Sequence, residues 1–388
     1  FNIVDGMLKI NPIDVTVTIT EHSDEVNYNG AEQRVTGYDV TSIKIGDEPT
    51  TLYTAADFTF SGCDTAKGTN VGTYNMNLTA SNFTNTNTNF GTVTFNIVDG
   101  TLKINPIDVT VTITEHSDEV NYNGAEQRVT GYDVTSIKIG DEPTTLYTAA
   151  DFTFSGCDTA KGTNVGTYNM NLTAANFTNT NSNFGTVTFN IVDGTLKINP
   201  IDVTVTITEH SDEVNYNGAE QRVTGYDVTS IKIGDEPTTL YTAADFTFSG
   251  CDTAKGTNVG TYNMNLTAAN FTNTNTNFGT VTFNIVDGTL KINPIDVTVT
   301  ITEHSDEVNY NGAEQRVTGY DVTSIKIGDE PTTLYTAADF TFSGCDTAKG
   351  TNVGTYNMNL TAANFTNTNS NFGTVTFNIV DGTLKINP

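Results

Sequence analysis

A near-perfect repeat constrains this chain more than any other feature of its sequence. The stretch FNIVDGTLKINP occurs five times, once with Met7 in place of Thr, and its copies begin 94 residues apart at Phe1, Phe95, Phe189, Phe283 and Phe377. A step of this length is too long for a solenoid, whose open units need their neighbours, and it matches a small self-contained domain. We therefore predict four domains, residues 13–106, 107–200, 201–294 and 295–388, after a segment 1–12 that is the C-terminal hairpin of a preceding repeat.

The four repeats are almost identical in sequence. Apart from Met7, they differ where Ser81 replaces an alanine of the other repeats, and where Thr88 and its counterparts alternate between Thr and Ser. The chain also lacks an initial Met and begins and ends in the same motif. We infer that it is a window cut from a longer array of beads on a string.

An Asp-Gly pair lies inside the recurring stretch, between two alternating apolar runs. Asp-Gly is favoured in two-residue type I′ loops, which need positive φ at both central positions. With Asp99–Gly100 as the loop, the opposed pairs are Ile97 with Leu102, Phe95 with Ile104 and Asn96 with Lys103. A slip of one residue would turn the apolar set towards solvent, so the register is well specified. The sequence predicts a β-hairpin that closes each repeat, with Pro106 ending its second strand.

The rest of the repeat alternates short apolar runs with turn residues. Residues 13–20 place Val15, Val17 and Ile19 on one face, and residues 34–45 form one long strand or two, broken at Gly37 or Ser42. Only the proline separates one repeat from the next, which predicts a very short connection between domains.

The second half of the repeat carries shorter strands. Residues 52–57 allow a single helical turn at most, residues 62–72 form a long polar connection, and residues 82–89 form an Asn/Thr-rich loop held by Phe83 and Phe90. With six to eight strands per repeat, we predict an all-β chain of four tandem, small, immunoglobulin-like β-sandwich domains in a linear array. The alternative is a β-grasp-like domain with one short helical turn.

Each repeat carries a strong negative charge. Eleven acidic residues face four basic ones, so each repeat contributes −7 to the formal charge of −28. Nucleic acids and anionic membranes are bound by clustered Lys and Arg, so the composition predicts neither as a partner and no membrane insertion in this window. The charge would keep a long array soluble and extended through self-repulsion.

Several short motifs carry a family resemblance. In order they are Asn29–Gly30 after Tyr28, the Gly37-Tyr38-Asp39 step, FTFSG from Phe58, Gly72-Thr73-Tyr74 and the closing FNIVDGTLKI from Phe95. In this order they resemble the MBG/YDG-type repeat domains of large bacterial cell-surface proteins, and the resemblance covers every repeat. It implies an extracellular, adhesin-like protein whose repeats act as a stalk, and it brings no active-site residues with it.

The residues that could carry chemistry are sparse. Each repeat has one His and one Cys, His22 and Cys63 in the first, which falls short of a structural zinc site and supports no nucleophilic pair. One Cys per repeat cannot form a bridge inside its own domain, so a free thiol and a bridge between repeats or chains stay open. Acidic turns at Asp24–Glu25 and Asp47–Glu48 lack calcium-loop spacing and read as solvated surface.

A Lys–Asn isopeptide bond is a further candidate for covalent chemistry. The predicted register places Lys103 opposite Asn96 on the polar face, whereas such a bond needs a buried lysine beside an acidic group. The aromatic residues, about nine per repeat without any Trp, are best explained as core. We therefore expect no catalytic, cofactor-binding or metal-binding residues, no cofactor, and no enzymatic activity.

Two functions remain. The first is a structural stalk or fibre segment of an extracellular bacterial surface protein, which extends a distal functional part or assembles with other copies of the chain into a filament. Four compact domains in line would span on the order of 150 Å. The alternative is a multivalent adhesin whose repeats each carry a weak site for a host or surface glycan or protein.

Overall fold

The computed structural model describes residues 1–2 and 4–388. The chain divides into two compact units, Phe1–Asn199 and Pro200–Pro388, and each unit contains two of the predicted repeats.

The first repeat contains eleven strands and two three-residue 3₁₀ turns, Ala55–Asp57 and Ala80–Asn82. The strands are β1 (Ile13–Glu21), β2 (Asp24–Asn27), β3 (Gln33–Thr36), β4 (Tyr38–Ile45), β5 (Glu48–Pro49), β6 (Phe58–Phe60), β7 (Thr65–Gly68), β8 (Gly72–Asn75), β9 (Phe83–Asn85), β10 (Phe90–Val98) and β11 (Thr101–Asn105). The same elements recur at steps of 94 residues, from β12 (Ile107–Glu115) to β22 (Thr195–Asn199), from β23 (Ile201–Glu209) to β33 (Thr289–Asn293) and from β34 (Ile295–Glu303) to β44 (Thr383–Asn387).

The larger sheet of the repeat is built on β1. Its strand order is β10-β1-β4-β5, with β1 parallel to β10 and antiparallel to β4. As predicted from the alternation, Val15, Val17 and Ile19 lie on one face and are buried, with exposed fractions of 2% or less. Burial of this apolar face is the main favourable contribution to folding.

A three-stranded sheet of order β2-β11-β8 lies opposite the larger one. Its central strand contributes Leu102 and Ile104, which belong to the same buried cluster as Val17 and Ile19. Two short ladders, β3-β7 and β6-β9, complete the repeat. The domain is thus a two-sheet, immunoglobulin-like β-sandwich, and the prediction of four all-β repeats is confirmed. The short helical turn that the β-grasp alternative included is present as Ala55–Asp57, but the main strands lie in two separate sheets, β10-β1-β4-β5 and β2-β11-β8, which favours the sandwich.

The predicted closing hairpin is wrong. β10 pairs with β1, and β11 pairs with β2 and β8, so the two strands that flank Asp99–Gly100 belong to different sheets. Lys103 accordingly lies opposite Glu25 and Thr73, and not opposite Asn96. The apolar faces predicted for the two strands were correct, since Phe95, Leu102 and Ile104 are buried. The strands do not pair, however, because each covers the same core from a different sheet.

Other local predictions have mixed outcomes. The long stretch 34–45 is indeed broken at Gly37, which has φ of +91°, and the helical turn near residues 52–57 is present as Ala55–Asp57. The turn is capped, because Thr54 and Asp57 exchange side-chain and backbone hydrogen bonds. The connection 62–72 contains β7, and the loop 82–89 contains β9, so neither is free of regular structure.

Residues 1–12 differ from the equivalent segments of the repeats. Their described residues form no strand, and Phe1, Val4, Met7, Leu8 and Ile10 are exposed. In the first repeat, by comparison, β11 is held by β2 and β8. The part of the predicted hairpin at Ile3 lies outside the described residues.

Candidate interdomain interface

The connection between the first two repeats is a single residue. β11 ends at Asn105, β12 begins at Ile107, and only Pro106 lies between them. Proline fixes its own φ and restricts the residue before it to extended conformations. The very short connection predicted from the sequence is therefore present, and the chain has little conformational freedom at this point.

One asparagine of the second repeat forms hydrogen bonds across the junction. The Asn183 Oδ1 atom accepts a bond of 2.8 Å from the backbone N–H of Val71, and its Nδ2 donates to Asn70 Oδ1 at 3.1 Å. The donor and acceptor of one side chain are both used by the preceding repeat. Because both bonds depend on orientation, this contact fixes the direction in which the two domains meet.

An apolar contact lies beside these hydrogen bonds. The ring of Tyr28 meets the ring of Phe184 edge to face, with centroids 5.7 Å apart and planes at 74°. Tyr28 and Leu146 both pack against the core cluster of the second repeat. Leu52, which holds the place of Leu146 in the first repeat, is 67% exposed, so the neighbouring domain provides the cover.

A glycine allows the two domains to approach closely. Gly30 has φ of +76°, and a Cβ atom built on it would lie 2.6 Å from Leu146 Cδ2. A methyl group in this position would displace the leucine. The Asn-Gly turn predicted at residues 29–30 is thus part of the joint.

The second unit contains the same joint. Asn371 accepts from the N–H of Val259 at 2.8 Å and donates to Asn258 at 3.1 Å, and the rings of Tyr216 and Phe372 are 5.6 Å apart. A Cβ on Gly218 would again lie 2.6 Å from a leucine methyl carbon, that of Leu334. The contact therefore repeats with the sequence.

Burial within the second unit measures the extent of this contact. Tyr310 and Val353 hold the places of Tyr216 and Val259 in the last repeat, and they are 52% and 51% exposed. Tyr216 and Val259, which face a following repeat, are less exposed than these two counterparts. The residues that form the described contacts, Tyr28, Asn70, Val71, Leu146, Asn183 and Phe184, are all uncharged, so these contacts join two domains of net charge −7 through neutral groups.

The histidine and the cysteine do not form a reactive pair. His22 Nδ1 is 2.8 Å from the carbonyl oxygen of Thr36, and Nε2 is 3.3 Å from Asp39 Oδ2. These two acceptors, the Thr36 carbonyl first, raise the pKa of His22 above its ordinary value. With both ring nitrogens engaged, His22 has none left to activate Cys63. The four cysteines are free and exposed, and none is bridged within the chain.

Residues 1–2 and 4–388 contain neither a metal-binding cluster nor a membrane-spanning helix. No group of three or more His, Cys, Asp or Glu side chains in this range is arranged to hold a metal ion. Within the same range there is no helix with the length and apolar character needed to cross a membrane.

Lys103 lies in an exposed polar network. Its Nζ atom is 2.7 Å from Glu25 Oε1, and the same oxygen accepts a bond of 2.8 Å from Asn105 Nδ2. The hydrogen bond from Lys103, followed by that from Asn105, lowers the pKa of Glu25. The side chains of Lys103 and Glu25 are 52% and 59% exposed. A charged, exposed lysine beside an ionised carboxylate is a poor nucleophile, so this network does not favour isopeptide chemistry.

Sequence reasoning missed the joint residues. It assigned Tyr28 to the core, and the ring does pack against the core cluster of its own repeat as well as that of the next. It assigned Asn70 and Asn183 to polar loops, where nothing in the local pattern distinguishes them from other loop residues. The only available signal was the one-residue connection, which forces the ends of adjacent domains together.

Comparison of the sequence with known protein families finds the same four repeats. A family model described as the MBG domain matches residues 15–106, 109–200, 203–294 and 297–388. No curated protein matches the chain. Solved structures that resemble it include the I9–I11 tandem of titin, at 10% identity over 72% of this chain and 99% of that chain with a TM-score of 0.13.

Two further structures have comparable scores. The Bacillus anthracis TIE protein is 10% identical over 94% of this chain and 74% of that chain, with a TM-score of 0.19. Sidekick-1 immunoglobulin domains 1–5 are 9% identical over 95% and 79%, with a TM-score of 0.16. Scores this low carry no argument about function. The family model covers nearly the whole chain in four consecutive matches, and the chain therefore belongs to the MBG domain family.

Proposed function

We propose that this chain is a structural, non-enzymatic stalk segment of an extracellular bacterial surface protein, in which each docked joint limits bending between neighbouring domains. The observation that carries the proposal is the asparagine clamp, in which Asn183 binds both Asn70 and Val71. A flexible string of domains needs no such contact, whereas a stalk that holds a distal part away from a surface does.

Two further features support a stalk. The linker is a single proline, and the same joint occurs in both units. The repeats are nearly identical in sequence, which suits a role in which length matters more than individual binding sites. The high negative charge would hinder close lateral pairing of chains, so we place extension by tandem domains before filament assembly.

The joint is tested by measuring the distance distribution between two spin labels. Cys63 and Cys157 are exposed and lie in adjacent repeats, and Cys251→Ser with Cys345→Ser leaves only these two thiols. A docked joint gives a narrow distribution, and Asn183→Ala broadens it because both cross-domain bonds are lost.

Asn89→Ala is the matched control. Asn89 holds the same place in the first repeat, and its backbone N–H bonds Asn87 just as that of Asn183 bonds Asn181. This control should leave the Cys63–Cys157 distribution narrow. A broad distribution in the parent chain would refute the stalk proposal.

One observation favours multivalent adhesion as a second candidate. A shallow polar depression recurs in three repeats and is lined in the first by Ser23, Asp24, Glu25, Thr101 and Lys103. Three weak copies of one site would give avidity without any strong single contact. Binding to a glycan array that is lost when Lys103 and its three counterparts are changed to Met would support this function, and an array without signal would oppose it.

A further inference from the structure

The joint contains a dipeptide with its own chemistry. In an Asn-Gly pair, the glycine amide nitrogen can attack the asparagine side chain, because glycine has no Cβ to hinder the approach. The chain has four such pairs, at residues 29–30, 123–124, 217–218 and 311–312, all in the same local sequence. Asn29 and Gly30 are both exposed, so water and hydroxide can reach them.

The hydrogen bonding around Asn29 and Gly30 favours this attack. The Asn29 Oδ1 atom accepts a 2.9 Å hydrogen bond from the backbone N–H of Ala31. This donor polarises the side-chain carbonyl and can stabilise the negative charge that develops on Oδ1 during attack. The N–H of Gly30 has no hydrogen-bond partner in the described part of the chain, so its proton is open to hydroxide.

The Asp99–Gly100 pair of the same repeat provides a contrast. Asp-Gly can undergo the same cyclisation, but the Gly100 N–H donates to the buried carboxylate of Glu21 at 2.8 Å. A Cβ on Gly100 would lie 2.3 Å from the carbonyl oxygen of His22, so this backbone is tightly enclosed. The structure thus protects one glycine amide and leaves the other exposed.

We propose that Asn29 and its counterpart Asn217 are self-modification sites, at which conversion to isoaspartate loosens the joint to the following domain. Hydroxide removes the Gly30 amide proton, and the nitrogen forms a bond to Asn29 Cγ. The bond from Cγ to Nδ2 then breaks, and ammonia leaves after taking a proton from water. Water opens the resulting cyclic imide at either carbonyl, which gives aspartate or isoaspartate.

The consequence follows from the position of Gly30. Isoaspartate moves the side-chain carbons into the main chain, so Gly30 is displaced from its contact with Leu146 and a negative charge enters a neutral interface. Conversely, a docked Leu146 resists the movement that cyclisation requires, so the closed joint slows the reaction. This inference rests on the docked joint of the proposed function.

The chain offers a matched comparison of rates. Asn217 and Asn311 have the same neighbours in sequence and the same bond from the alanine N–H, and φ is +77° at both Gly218 and Gly312. They differ in that Leu334 covers Gly218, whereas a Cβ on Gly312 would meet nothing within 4 Å. A difference in rate between them therefore reports on docking alone.

The experiment ages the full chain in mildly alkaline buffer and follows conversion by peptide mass spectrometry with isoaspartate detection. Proteolysis releases the same peptide from all four repeats, so mass alone cannot tell the sites apart. Variants are therefore made that each carry Ser23→Thr, or the equivalent substitution, in one repeat only. The peptide of that repeat then has its own mass. We expect isoaspartate at Asn29, Asn217 and Asn311, with the reaction at Asn29 and Asn217 about tenfold slower than at Asn311, which corresponds to about 1.4 kcal/mol for opening the joint. Absence of isoaspartate, or equal rates at Asn217 and Asn311, would overturn the inference.

The spin-label measurement distinguishes a failure of the self-modification inference from a failure of the stalk proposal. Equal rates with a narrow Cys63–Cys157 distribution reject the self-modification inference and leave the stalk standing. Equal rates with a broad distribution reject both.

The effect on the joint is measured on the aged protein. The Cys63–Cys157 distribution should broaden as isoaspartate accumulates at residue 29. Asn29→Ser, which has no amide to lose, should keep it narrow, and Asn29→Asp separates the effect of charge from that of the longer main chain. A distribution that stays narrow after full conversion would contradict the proposed loosening.

Discussion

The buried carboxylate of Glu21 accepts a 2.8 Å hydrogen bond from the backbone N–H of Gly100, 79 residues away in sequence. Its other oxygen accepts from the N–H of Leu78 at 2.7 Å, and the residue is only 3% exposed. One side chain at the end of β1 thus holds the crossover from β10 to β11 and the segment that follows β8. The Asp-Gly pair forms this crossover between sheets because a carboxylate is available to satisfy its backbone.

Loss of this carboxylate should destabilise one repeat selectively. Glu115→Ala, made in the second repeat, leaves two buried N–H groups without an acceptor and should lower the free energy of unfolding of that repeat by roughly 3 kcal/mol. Glu115→Gln keeps one acceptor oxygen and should cost less. Calorimetry of the full chain should show a separate, earlier transition while the other three repeats serve as an internal reference. A single transition at the parent temperature would contradict this role.

The close approach at Gly30 can be separated from its backbone conformation. Gly30→Ala and Gly312→Ala place a Cβ at φ of +76° and +77°, which costs each turn about 1 kcal/mol. Only the first substitution also drives a methyl group against Leu146. We expect both to lower the stability of their own repeat slightly, and only Gly30→Ala to broaden the Cys63–Cys157 distribution. Equal effects of the two on that distribution would exclude the contact as its cause.

The exposed network around Glu25 predicts a pH dependence. Lys103 and Asn105 lower the pKa of Glu25 in the folded state below its ordinary value of 4.5, so this carboxylate contributes stability above the unfolded pKa and loses it as pH falls through the lowered folded pKa. The other three repeats have the same shift. Carboxyl carbon NMR should therefore find four glutamates that titrate together below 4.5. Replacing Lys103 and its counterparts by Met should move this titration upward, and an unchanged titration would refute the assignment.

A buried tyrosine predicts the behaviour of the domain in alkali. Burial, and secondarily the nearby Asp151, raise the pKa of Tyr147 to about 12. The single proton of its hydroxyl is shared between two acceptors, the Asp151 carbonyl oxygen and Asn179 Oδ1, each 3.1 Å away. A raised folded pKa means that stability is complete below the unfolded pKa near 10 and is lost as pH rises towards 12.

Absorbance titration should find Tyr147, Tyr241 and Tyr335 ionising only near 12 or on unfolding. Tyr147→Phe should remove one such group from the late phase. Ionisation of all tyrosines near pH 10 in a folded chain would contradict their burial.

Local sequence pattern identified the strands better than their partners. The alternation in β1 placed Val15, Val17 and Ile19 correctly, and the apolar positions of β10 and β11 were also correct. The error was the assumption that neighbouring strands must pair with each other. An alternating pattern indicates that one face of a strand is buried. Two successive strands can bury that face either as a hairpin in one sheet or by crossing from one sheet to another, so the pattern does not identify the partner.

The sequence by itself determined four equivalent all-β domains, their acidic surface and their one-residue connections, because a repeat, a charge and a proline are all visible in one dimension. Only the tertiary structure decided which strands pair, that Glu21 holds the crossover, and that Asn183 joins one repeat to the preceding one. The contact of Glu21 with Gly100 joins residues 79 positions apart, and that of Asn183 with Val71 joins residues 112 positions apart. The sequence around a residue does not indicate such distant partners. Their physical basis is the need of each buried N–H for an acceptor, which the folded chain supplies from wherever its topology places one.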